Sequence, residues 1–246
     1  MKRFTDRVSI ITGAASGIGL ATAIRLAKED SRVVIVDLDE KKANAAAAQA
    51  GTAGAPDAFG TVCDVSNEED VRETVAKTLD RFKRIDVIVN NAGLMSFKPL
   101  EELDGDEWLK ILNVDLLGAF YFTKQAFLHM KSGGAIVNVS SIHAEETQPF
   151  VAPYAAAKTA LLSLTRSASL EGKAKGIRVN AVLPGAIDTP MLWNNPNVKS
   201  GEEKIIAGDV GQPDDVASVI AFLASDDARF VQGAAIRVDG GRLDRL

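Results

Sequence analysis

The sequence predicts a doubly wound α/β domain, a parallel sheet covered by helices on both faces, and three observations carry that expectation. Val and Ile recur in continuous apolar runs, the pattern of strands buried on both faces rather than wet on one side. Each run is followed by a segment of helical periodicity, so strand and helix alternate as parallel crossovers require. No linker, repeat or low-complexity tract divides the 246 residues, and 46% hydrophobic residues suffice for one sizeable core. Residues 1–246 are therefore expected to form one domain.

Taken in order, residues 8–12 (Val-Ser-Ile-Ile-Thr) read as a first strand, followed at once by a glycine-rich turn and a helix over about 18–30 with Leu20, Ile24 and Leu26 apolar. Residues 32–37 form a second strand ending on Asp37. Alanine-rich 40–50 is a helix by propensity, broken by Gly51-Thr-Ala-Gly-Ala-Pro56. Residues 59–64 read as a third strand, and Ser66 or Asn67 caps a helix reaching about 82. A fourth strand occupies 85–90. Asp104-Gly-Asp-Glu107 resembles a capping box and opens a long helix to about 130. Residues 135–139 are a fifth strand, followed by a helix bearing Tyr154 and reaching about 173. A sixth strand at 177–182 leads into a polar segment at about 186–212. That segment is long for a connector, and a substrate lid is expected there. Pro213-Asp-Asp opens a last helix, and 234–238 is a last strand.

Bulk properties narrow the class of function. A net charge of −5 argues against nucleic acid or an anionic membrane as partner, and no apolar run approaches the roughly 18 residues that cross a bilayer. Met1-Lys-Arg-Phe-Thr-Asp-Arg7 leads straight into a strand, without signal-peptide character. The single cysteine, Cys63, excludes an internal disulfide and fits a reducing compartment, so a cytoplasmic protein is expected. With only His129, His143 and Cys63 as soft ligands, no metal site is expected, and His129 reads as a surface or helix-end residue.

Chemistry gathers at the strand ends. Gly13-Ala-Ala-Ser-Gly17-Ile-Gly19 follows the first strand and opens a helix, where missing side chains let backbone amides approach a pyrophosphate. Asp37 ends the second strand, the place from which a carboxylate accepts hydrogen bonds from a ribose diol. Its charge would repel a 2′-phosphate, and Leu38 offers no compensating cation, so NAD is expected rather than NADP. Asp64 suits an adenine amino contact or, equally, a helix N-cap. Tyr154 and Lys158 are four apart on one helix, so they share a face, and an ammonium there favours phenolate. Ser141 ends the fifth strand. Three polar groups around one substrate oxygen are equipment for moving a proton at a carbinol or carbonyl.

The ordered set Thr12-Gly-Ala-Ala-Ser-Gly-Ile-Gly19, Asp64-Val65, Asn90-Asn-Ala-Gly93, Asn113, Ser141, Tyr154-Ala-Ala-Ala-Lys158, Asn180, Pro184-Gly185 and Val238-Asp-Gly-Gly241 resembles the short-chain dehydrogenase/reductase family over almost the whole chain. The resemblance implies a Rossmann-like domain of about seven parallel strands, assembled as a homotetramer. It makes Tyr154 the catalytic acid/base, Lys158 its activator and a ligand of the nicotinamide ribose, Ser141 the partner of the substrate oxygen, and Asn113 the holder of a relay water. It implies a cofactor site of Gly13, Ser16, Gly17, Ile18, Gly19, Asp37, Leu38, Cys63, Asp64, Val65, Asn91, Ala92, Gly93, Pro184, Gly185, Ile187 and Thr189, together with Tyr154 and Lys158.

Three segments following strand ends should form the substrate pocket: 94–99, 142–153 and 186–206. His143, Glu145, Glu146 and Gln148 suit a polyhydroxylated substrate, because each buried hydroxyl needs a partner, and Trp193 is placed to stack on a sugar face. Ser141-Ile-His143 followed by an acid also resembles the family's bacterial glucose dehydrogenases, although Ala144 separates the His from the acid here. The expected function is NAD-dependent hydride transfer at a secondary alcohol, with a sugar or polyol hydroxyl favoured. A 3-oxoacyl thioester reductase and a non-catalytic NAD-binding regulatory protein are the alternatives.

Overall fold

Seven strands lie parallel in one sheet in the order β3-β2-β1-β4-β5-β6-β7 in the computed structural model, which describes residues 2–201, 205 and 208–243. They are β1 (Val8–Thr12), β2 (Arg32–Asp37), β3 (Ala58–Val62), β4 (Val87–Asn90), β5 (Ala135–Val139), β6 (Arg178–Pro184) and β7 (Ala235–Val238). The continuous apolar runs are explained by burial on both sides: Ile10 faces one layer and Ile11 the other, and neither is exposed.

One face is covered by α1 (Gly17–Lys28), α2 (Glu40–Ala53) and α9 (Pro213–Ala224), whose Leu26, Ala46 and Ile220 pack on Ile11, Ile35 and Val137. On the other lie α3 (Glu68–Phe82), α5 (Gly118–His129) and α6 (Ala152–Lys175), where Val71, Phe122 and Ala168 meet Ile10, Val34 and Ile136. Cap chemistry sets the helix starts: Asn67, not Ser66, caps α3 by accepting from the Glu69 amide at 2.9 Å. Asp104 caps α4 (Gly105–Leu112) by accepting from Glu107 N at 2.7 Å.

Three expectations need correction. The helix α2 runs through Gly51 and ends at Gly54, because isolated glycines in an alanine-rich segment cost less than breaking its packed face. Strand β3 stops at Val62, where the ladder with β2 ends, leaving Cys63 and Asp64 in the following loop. The long helix at 105–129 is interrupted between α4 and α5 by a π turn over Asn113–Leu117. The segment at 186–212 contains two short helices, α7 (Pro190–Trp193) and α8 (Pro196–Ser200), each with proline in its first turn. An Ile187–Gly211 bridge closes its base. The lid expected there falls partly outside the described residues.

Candidate active site

Between β1 and β4 the order of strands reverses, and the carboxyl ends of the strands open there into a cleft of about 510 Å³. One half of its wall is built from consecutive strand ends: Gly13, Ser16, Gly17 and Ile18 after β1, Asp37 and Leu38 closing β2, Cys63, Asp64 and Val65 after β3, and Asn91, Ala92 and Gly93 after β4. Ser16 sits at the N-cap of α1 without a side-chain bond to the helix, and no acid occupies its first turn. The first-turn amides thus keep their capacity for an anion. Asp37 accepts from Ala15 N at 3.1 Å and from Asp39 N at 3.3 Å, so its carboxylate and the glycine loop orient each other. These groups fit a dinucleotide, with loop amides for the pyrophosphate and the Asp37 carboxylate for a ribose diol.

Other residues hold this half together from behind. Gly19 does not line the cleft; a Cβ there would lie 2.4 Å from the Gly13 carbonyl oxygen and 2.6 Å from Asn91 Nδ2. Asn91 Nδ2 donates to the carbonyls of Thr12 and Gly13 at 2.8 and 3.1 Å, while Thr12 Oγ1 accepts from the amides of Asn91 and Ala92. Gly19→Ala should therefore displace the loop, costing roughly 1–3 kcal/mol of stability and about tenfold in dinucleotide affinity. Thermal unfolding and calorimetric titration measure the two. Asp64 is not an N-cap of α3; its Oδ1 accepts from Ser66 N and Oγ at 2.9 and 2.6 Å. Burial pushes the Cys63 thiol up to about 11, which suits a packing residue and not a nucleophile.

The reactive groups lie deeper. Tyr154 and Lys158 both belong to α6 and are 7% and 3% exposed, with the Lys158 ammonium 5.4 Å from the Tyr154 ring centroid. Two bonds tie this part of α6 to the end of β5: Lys158 Nζ donates to Val139 O at 3.1 Å, and Ser140 Oγ donates to Lys158 O at 2.9 Å. Ser141 bonds the Tyr154 side chain and accepts from His143 N at 3.2 Å. Burial holds the Tyr154 hydroxyl above the ordinary phenol range; Lys158 and Ser141 pull the other way. For Lys158, burial works against the ammonium, but the Asp115 carboxylate and Tyr154 together outweigh it and raise the pKa.

Asp115 is the residue sequence reasoning missed. The structure does not bring Asn113 to this cluster; it opens the π turn, half-buried and off the cleft wall. Two positions along a helix turn a side chain to nearly the opposite side, and Asp115, 1% exposed, stands behind Lys158 instead. Its Oδ2 is 3.1 Å from Lys158 Nζ, and Oδ1 accepts from Leu94 N at 2.7 Å. The signal available was a lone carboxylate in an otherwise apolar run, Val114-Asp-Leu-Leu117.

Pro184, Gly185, Ile187 and Thr189 follow β6 along the cleft. Of the expected substrate residues, His143 and Gln148 line it, and the His143 ring meets Tyr154 edge-on at 6.0 Å between centroids. Glu145 does not; its carboxylate pairs with Arg237 Nε at 2.5 Å, and Glu146 takes the place on the wall. Trp193 is also turned away, with its indole N–H donating to Asp188 Oδ1 at 2.6 Å, while Met191 and Leu192 face the cleft. Arg242, brought in by a tail whose Leu243 packs on Ile142, joins the wall. His129 is exposed at the end of α5.

Comparison with known proteins matches this geometry to a family. A family model described as Enoyl-(Acyl carrier protein) reductase matches residues 13–242. The chain is 42% identical to cis-4-hydroxycyclohexanecarboxylate dehydrogenase of Sinomonas cyclohexanicum over 97% of both chains. The chain belongs to the short-chain dehydrogenase/reductase family. It is also 37% identical to the 3-oxoacyl-[acyl-carrier-protein] reductase FabG of Thermotoga maritima, over 97% of this chain and 98% of that one. A crystal structure of levodione reductase superposes with a TM-score of 0.93 at 36% identity, covering 99% of this chain and 100% of the other. As a short-chain dehydrogenase/reductase, the protein is an oxidoreductase acting on CH–OH groups, and the family typically uses a nicotinamide cofactor. Among the described residues, no group of three His, Cys, Asp or Glu side chains is arranged to hold a metal ion, and no helix is long and apolar enough to cross a membrane.

Proposed function

We propose that the protein is an NAD-dependent dehydrogenase of secondary alcohols, reversible as a carbonyl reductase, whose substrate carries its hydroxyl on a small ring. The observation that carries the reaction is the Ser141–Tyr154–Lys158 cluster at the floor of a cleft that also fits a dinucleotide. Asp37 carries the preference for NAD, with Leu38, 67% exposed beside it, supplying no cation for a 2′-phosphate. Bound NAD supplies the hydride acceptor. Ser141 holds the substrate oxygen, Tyr154 as phenolate takes the hydroxyl proton, and Lys158 stabilises that phenolate.

A sugar or polyol substrate loses two supports, since Glu145 is engaged by Arg237 and Trp193 by Asp188. What remains on the wall are the apolar Leu94, Met95, Met191 and Leu192 together with the polar His143, Glu146 and Gln148. That mixture suits a ring alcohol with one polar substituent. The likeness to a hydroxycyclohexanecarboxylate dehydrogenase supports the same reading. Reduction of a 3-oxoacyl thioester is the second reading, favoured by likeness to the Thermotoga enzyme.

Initial rates with NAD and NADP against ring alcohols, aldoses and 3-oxoacyl thioesters test these readings. Ring alcohols with NAD are expected to give the highest kcat/KM. Turnover with NADP equal to that with NAD would remove the role given to Asp37. A homotetramer is also proposed, because Leu109, Leu128, Leu170 and Phe230 leave large apolar side chains exposed that assembly would cover; sedimentation equilibrium measures it.

A further inference from the structure

We propose that Asp115 is a positioning residue of the reaction: its carboxylate fixes the Lys158 ammonium and cancels its charge, so that Tyr154 remains a phenol until further positive charge enters the cleft. The inference rests on the roles proposed above for Tyr154 and Lys158.

The geometry identifies an ion pair. Both carboxylate oxygens face N–H donors, Oδ1 the Leu94 amide at 2.7 Å and Oδ2 the Lys158 ammonium at 3.1 Å. Oδ2 lies off the direction of a good hydrogen bond and has no other partner among the described residues. Burial pushes the Asp115 carboxyl up from the ordinary carboxylate range, while the Lys158 ammonium and the Leu94 amide favour its charged form. Space for the pair is made by Gly93, where a Cβ would stand 2.9 Å from Asp115 Oδ2 and 3.2 Å from Lys158 Nζ. The carboxylate is delivered by the π turn, two residues after Asn113, the residue type the family resemblance leads one to expect.

The charge balance has a consequence. With an asparagine in this place, Tyr154 would ionise beside an uncompensated cation. With Asp115, the buried ammonium is already neutralised, and ionising Tyr154 leaves a net negative charge in a low-dielectric site. The ionisable groups facing Tyr154 are Lys158 on its own helix, Asp115 from the π turn and His143 from the turn after β5, with Glu146 and Arg242 also on the cleft wall. The Asp115 charge opposes ionisation of the phenol directly.

The chain has two tyrosines, so a Tyr121→Phe background leaves Tyr154 as the sole phenol. Its ionisation, followed by ultraviolet absorbance in the protein without cofactor, is compared with and without Asp115→Asn. The midpoint is expected to fall by roughly one to two pH units in the variant, and the acid limb of kcat for alcohol oxidation should move the same way. NAD affinity should stay within about threefold. Asp115→Ser, which also removes the charge but keeps an acceptor for Leu94 N, should reproduce the shift; it serves if the Asn variant does not fold. An unchanged or raised midpoint in both variants, or in the one that folds, overturns the inference. A lowered midpoint in a protein that oxidises no alcohol would leave the charge relation standing and refute the proposed function.

Discussion

Replacement of Tyr154 by phenylalanine is expected to lower kcat by about a thousandfold or more while NAD affinity changes by less than about threefold. The phenol ring packs with Ile111 and Ala157, and those contacts survive the loss of one oxygen. What disappears is the group that takes the substrate proton. No neighbour replaces it well: the Ser141 hydroxyl has too high a pKa to act as base at neutral pH, and His143 meets the ring only edge-on, centroids 6.0 Å apart. Single-turnover rates alongside equilibrium NAD binding separate chemistry from affinity. A Tyr154→Phe protein that retained about a tenth of the activity would refute the assignment.

Exchanging the cofactor preference is the second large effect. Asp37→Ser combined with Leu38→Arg should change the NAD-to-NADP ratio of kcat/KM by roughly a thousandfold. Two charge-assisted hydrogen bonds from a ribose diol contribute about 1.5–3 kcal/mol each, and the new guanidinium forks onto a phosphate. Serine retains an acceptor for Ala15 N, now held by Asp37 at 3.1 Å, so the glycine loop should keep its shape. Asp37→Asn alone, which removes the repulsion and keeps the size, should weaken the preference for NAD without creating one for NADP. Initial rates with both cofactors decide it, and an unaltered ratio in the double variant would show that the adenine ribose is recognised elsewhere.

Strands were legible wherever turn residues bound an apolar run. The expected spans at 8–12, 32–37 and 135–139 coincide with β1, β2 and β5. Helix ends inside alanine-rich sequence were not, because a glycine that is only a propensity cost looks the same as one that ends a helix. At the site, motif residues carried by strand ends came together as expected, since a parallel sheet brings every strand's carboxyl end to one edge. Residues on irregular segments did not follow so simply. Glu145 and Glu146 are adjacent, and which of them faces the cleft depends on the three-residue turn at Ile142–Ala144. Asp115 was hidden for a different reason. The resemblance asks for an asparagine, and Asn113 is the asparagine in that run, but a helix interrupted by a π turn does not report its facing from residue type.

That π turn also acts as a phase shifter between two machines. Along an uninterrupted α-helix each residue advances the facing by about 100°. The wider turn absorbs extra chain, so α4 can present Ile111 beneath Tyr154 while α5 presents Phe122 to the sheet. Deleting one residue from 113–117 would return the segment to α-helical pitch and leave the anchoring of Phe122 intact. It would also rotate Ile111 away from Tyr154 and Asp115 away from Lys158. The length of this short turn, counted in whole residues, thus keeps the framework and the chemistry in step.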